Sequence, residues 1–93
     1  METTFHILLH LKTSDGHENL GRFFLGTDRT MANRLFSQLK GNPDVTDQCG
    51  LCLEFMEMRD NLPYNMEILS CTLDQLAENC KIITKAIFKR LTV

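Results

Sequence analysis

With 93 residues and a formal net charge of −2, the chain is one domain's worth of sequence, able to bury roughly 60 to 65% of its unfolded surface. A content of 43% hydrophobic and 24% charged residues excludes disorder, and the near-balanced charge excludes a global basic field that would draw in nucleic acid or an anionic membrane. No run approaches the eighteen or so apolar residues of a membrane span, and four cysteines without a dense framework point to reduced thiols in a cytoplasm.

Glu2 stands where a secretory leader would carry Lys or Arg, and His10 and Lys12 break the apolar run Ile7 to Leu9, so no leader is expected. From Thr4 to Lys12, Phe5, Ile7, Leu9 and Leu11 alternate with His6, Leu8, His10 and Lys12, which predicts a strand with one wholly apolar face. Ser14-Asp15-Gly16-His17 is a turn signal. Leu20 to Leu25 then returns as a second strand. Thr27 or Asp28 caps a first helix in which Met31, Ala32, Leu35, Phe36 and Leu39 repeat on one side, and Gly41 and Pro43 stop it.

The segment from Asn42 to Gly50, with Asp44 and Asp47, has no periodicity and reads as the longest loop. Alternation resumes at Leu51 to Met58, with Leu51, Leu53 and Phe55 on one face and Cys52, Glu54, Met56 and Met58 on the other. A turn at Asp60-Asn61-Leu62-Pro63 leads into a fourth strand, Tyr64 to Cys71. The strongest signal is Thr72 to Leu91. Thr72 and Gln75 form a capping box, and Leu73, Leu76, Cys80, Ile83, Ile87 and Leu91 fall on one helical face with Ala77 and Phe88 at its edge. Early Asp74 and Glu78 and late Lys81, Lys85, Lys89 and Arg90 suit the helix dipole.

The order is therefore ββαββα within a single α+β domain, residues 1–93. It equals a ferredoxin-like unit with its last strand moved to the front, giving a four-stranded antiparallel sheet with both helices on one face. A shift of 45 residues overlays Phe23 on Ile68, Thr27 on Thr72 and Ala32 on Ala77, as a duplicated ββα unit would.

Chemical motifs are sparse. Cys49 and Cys52 have the Cys-x-x-Cys spacing of half a zinc site or a redox dithiol, but Cys71 and Cys80 do not supply the second half, and the pair runs into a strand rather than a helix N-terminus. His6 and His10 share a strand face roughly 13 Å apart, too far to chelate one ion, and His17 sits on a turn. Glu54 and Glu57 point to opposite faces, so they make no acid/base pair. No nucleophile elbow, phosphate loop or metalloprotease motif occurs. No catalytic residue, metal or cofactor is expected.

Period two sends Leu8, Met56 and Met58 to the sheet face that the helices leave open, where an apolar set marks an association surface. The expected function is a small non-enzymatic interaction module, homodimeric through that face or bound there to another protein. The alternative is a nucleic-acid-binding module using the lysine stripe Lys81, Lys85 and Lys89, with Phe23 or Phe24 as a stacking platform.

Overall fold

The computed structural model describes residues 2–43 and 50–92, with side chains as far as Arg90. Along it run β1 (Thr3–Thr13), β2 (Gly16–Gly26), α1 (Arg29–Ser37), β3 (Gly50–Arg59), β4 (Leu62–Cys71) and α2 (Leu73–Thr92). Both hairpins turn more tightly than their sequences suggest. Asp60 and Asn61 have φ of 50° and 68°, the paired left-handed conformation of a two-residue hairpin, whose twist matches that of its strands. Leu62 and Pro63 therefore belong to β4 rather than to the turn, and Pro63 is tolerated because β4 is an edge strand. In the first hairpin β2 begins at Gly16, so His17 lies on the strand and not on the turn.

The strands form one antiparallel sheet in the order β2-β1-β3-β4, with both helices packed on one face, the ferredoxin-like α+β layout. The strand order is its own: moving a ferredoxin-like unit's last strand to the front would centre β2 and β4, whereas here the first strand of each hairpin is central. A 45-residue shift carries β2 onto β4 to within one residue at each end. The two halves meet along β1 and β3 about a centre between the pairs Leu8↔Glu54 and Leu9↔Leu53, which is the arrangement a duplicated ββα unit produces.

Alternation along the strands aims Phe5, Ile7, Leu25, Leu53 and Phe55 at the helices, where they meet Ala32 and Leu35 of α1 and Leu76 and Ile83 of α2. Phe36 stacks on Phe55 with ring centroids 4.8 Å apart. Cys80 and Ile87 pack partly buried against this core. Leu73 does not. It is 71% exposed because, as the first helical residue, it stands at the rim of the packed layer; Ala77 and Phe88 are exposed as well, and the side chain of Leu91 lies outside the described residues.

Both helix starts are capped as their sequences require. Asp28 Oδ1 accepts the Met31 N–H at 3.2 Å. In the Thr72/Gln75 box, Thr72 Oγ1 accepts the Gln75 N–H at 3.1 Å while Gln75 Oε1 accepts the Thr72 N–H at 2.9 Å. At the far end of α2, Arg90 donates to the Leu25 carbonyl. Gly26, at φ 96°, has no side chain to obstruct that guanidinium, which accounts for a glycine at the end of β2.

One fully buried polar residue ties the helices together. Asn79 Oδ1 accepts the Lys40 N–H at 2.8 Å and its Nδ2 donates to the Lys40 carbonyl at 2.7 Å, so the amide pairs with the backbone that follows α1 as another peptide unit would. That backbone then lies so close to β4 that a Cβ on Gly41 would stand 3.0 Å from the Ser70 carbonyl, and Asn42 pairs with Ser70 in both directions.

Candidate association surface

Strand register assembles the open face row by row. Phe24 of β2 pairs with His6 of β1, His6 with Met56 of β3, and Met56 with Met66 of β4, so one row crosses all four strands that is apolar but for the His6 imidazole. The next row reads Arg22, Leu8, Glu54 and Ile68, and the one after it Asn19, His10, Cys52 and Ser70. Met58 stands beside Thr4 on the other side of the apolar row. Helices cover none of this face, since α1 and α2 both pack on the opposite core.

Of the three residues expected to form the surface, Met56 and Met58 are there and half-buried. Leu8 is on the same face but only 9% exposed. As the central residue of a central strand it is enclosed by its neighbours, so the expectation that it lacks intramolecular cover is corrected. Cys52, 3% exposed, is enclosed in the same way, and burial pushes its thiol pKa up. Much of the apolar area on offer comes instead from two residues outside that set, Phe24, 49% exposed, and Met66, 52% exposed. Phe23 turns inward against the core, so Phe24 is the outward ring.

The histidines gather differently from their spacing. His6 and His10 stay apart, but His17 reaches across from β2 to His10, with Nδ1 atoms 2.8 Å apart. At that distance one imidazole donates its Nδ1–H and the other accepts it. His6 packs against Phe24 at 5.3 Å and its Nε2 meets the Thr4 hydroxyl at 3.0 Å. Burial holds both His6 and His10 below their ordinary pKa, helped by Arg22 for the first and by His17 for the second, while Glu54 pulls His10 back up. Leu8, His10, His17, Asn19, Glu54 and Ile68 line a shallow dish of about 370 Å³. Among the described residues, no three His, Cys, Asp or Glu side chains gather closely enough to hold a metal ion. Cys49 of the Cys-x-x-Cys pair lies outside the described residues.

Glu54 and Glu57 do point to opposite faces, and Glu57 is not a solvated edge residue. It is 3% exposed on the helix side, taken by both terminal nitrogens of Arg29 at 2.7 and 2.9 Å and by Arg59 Nε at 2.8 Å, with Arg59 stacked 3.5 Å over the Tyr64 ring. The Arg29 hydrogen bonds hold its carboxyl below the usual range. All of its partners are cationic, which makes it a structural carboxylate rather than a proton shuttle.

The lysine stripe is on the other side of the molecule. Lys81, Lys85 and Lys89 are exposed on α2, and Lys81 and Lys85 share a concavity with Phe88. No helix among the described residues is long and apolar enough to cross a membrane. Comparison with protein-family models, with curated proteins and with solved structures finds no match.

Proposed function

We propose that the protein is a non-enzymatic interaction module that self-associates as a homodimer through the open sheet face, in the cytoplasm, where Cys52, Cys71 and Cys80 stay reduced. The observation that carries this reading is the apolar row Phe24, His6, Met56, Met66, with its first and last members about half exposed. Four strands at about 4.8 Å spacing and ten residues at about 3.3 Å rise give a face of roughly 600 Å² in plan. The accessible area of such a face is of the order of the ~800 Å² per partner of a standard interface. Methionines suit it because they repack easily, and a two-fold axis sets each charge against its own copy's surroundings. Met56→Lys should give monomers in sedimentation equilibrium with an unchanged circular dichroism spectrum. Unaltered protein that is already monomeric at high micromolar concentration refutes the dimer.

A nucleic-acid role for Lys81, Lys85 and Lys89 is the second reading. It is favoured by Phe88, 65% exposed beside two of the lysines, since stacking rings interleaved with cations bind single strands. Such binding must weaken steeply with added salt, while the sheet-face dimer must not.

A further inference from the structure

We infer that the groove between α1 and α2 is a second docking surface, separate from the sheet face, whose occupant is an acidic amphipathic helix of a partner protein. The groove encloses about 800 Å³. Its floor is apolar, made of Met31 from α1 and Ile82 and Ala86 from α2, all half-buried. Its walls are cationic on both sides: Arg34 on α1 faces Lys85, Lys89 and Arg90 on α2, and no carboxylate is among the described residues that line it. The chain as a whole is acidic, at −2, so this positive field is a local segregation of charge. Like charges at i and i+4, as in Lys85 and Lys89, oppose helix formation, and among the described residues no carboxylate forms an ion pair with Arg34, Lys85 or Lys89.

An apolar floor between two cationic walls is complementary to a helix that carries apolar side chains at i, i+4 and i+7 and carboxylates on either flank. Nucleic acid fits less well. Phosphates would satisfy the walls but leave the floor uncovered, and the groove has no aromatic ring for a base to stack on. The groove floor and the sheet face lie on opposite sides of the sheet, and only Arg90, whose guanidinium stands 5.9 Å over the Phe24 ring, touches both among the described groove residues.

The test uses the full chain with methyl-labelled Met, Ile and Ala. The probes are a synthetic peptide of about 15 residues, four helical turns, with Leu on one face and Glu on its flanks; the same composition scrambled; the same design with Lys for Glu; and a single-stranded oligonucleotide. Saturable shifts of the Met31, Ile82 and Ala86 methyls are expected with the acidic amphipathic peptide and not with the scrambled one. A K85E/K89E variant, its fold checked by the Ile83 methyl, should bind that peptide at least about tenfold more weakly and should accept the Lys peptide instead, because charge complementarity sets the choice of partner. The inference is overturned if the groove methyls stay unmoved at millimolar peptide. It is also overturned if scrambled and amphipathic peptides act alike, or if the oligonucleotide takes the groove more tightly than the acidic peptide. Loss of the sheet-face dimer would leave all of these outcomes readable.

Discussion

Replacing Asn79 with Ala removes the amide that stands in for a peptide group against Lys40. The side chain is 0% exposed, and its two bonds to Lys40 are 2.8 and 2.7 Å long. Truncation leaves the Lys40 N–H without its partner and the Lys40 carbonyl with only the weak Cys71 S–H at 3.5 Å, and a buried polar group left unpaired costs about 1 to 3 kcal/mol. Lys40 itself is exposed, so water recovers part of this, and the net loss should be about 2 to 4 kcal/mol. Urea melts measure it, and hydrogen exchange at the Lys40 amide should lose its protection. Asn79→Asp is the sharper variant. It keeps the acceptor for the Lys40 N–H but sets a second oxygen against the Lys40 carbonyl, so the protonated acid is the favoured form and its folded pKa rises above the unfolded value. Its stability is then best at low pH and is lost as pH rises through the folded pKa. A loss below about 0.5 kcal/mol for the Ala variant, within the range of a neutral surface change, would refute the clamp.

Ile83→Ala, at a site with 0% exposure, should cost about 2 to 5 kcal/mol in a denaturant melt; a change under about 0.5 kcal/mol would mean that α2 packs by another face. The pH dependence has two windows. His6 and His10 are held below their ordinary 6.5, so the unfolded chain takes up protons that the folded chain refuses. Stability should therefore fall as pH drops from 6.5 through the folded values, and melts flat between about pH 7.5 and 5 would contradict this. Glu57, held below its ordinary 4.5, contributes stability that is present above that value and lost as pH falls through its folded pKa; Glu57→Gln should abolish this second loss.

Element order was legible because each signal is local. Period two marked β1 and β3, and the Thr72/Gln75 box fixed the start of α2 to the residue. Register was not legible, and it decides the surface: nothing in the chain says that Phe24, Met56 and Met66 share a row, since that depends on which strands are central. For the same reason Leu8 looked uncovered. A residue's exposure on an open face depends on its neighbours across strands, which no one-strand pattern contains. Asn79 gave no signal because a polar residue in an amphipathic helix reads as solvated, and its partner is backbone 39 residues away. The carboxylate of Glu57 was hidden likewise, one of its two guanidinium partners coming from α1, 28 residues away.

The contacts that fasten α1 and α2 to the sheet also occupy its margins. At the outer edge of β4, Asn42 takes both the N–H and the carbonyl of Ser70, at 2.8 and 2.9 Å, and Pro63 offers no donor at all. At the outer edge of β2, Arg90 takes the Leu25 carbonyl, Asn19 Oδ1 accepts the Gly21 N–H at 3.0 Å, and irregularities in the β1–β2 register at Phe5/His6 and Leu9/His10 bend the strand. A neighbouring chain seeking to extend the ladder meets groups already spent at these points, which is how sheet proteins avoid edge-to-edge polymerisation. The margins of this sheet are therefore guarded against open-ended ladder growth, while its broad side carries no such guard, and the proposed face-to-face pair would close on itself rather than propagate.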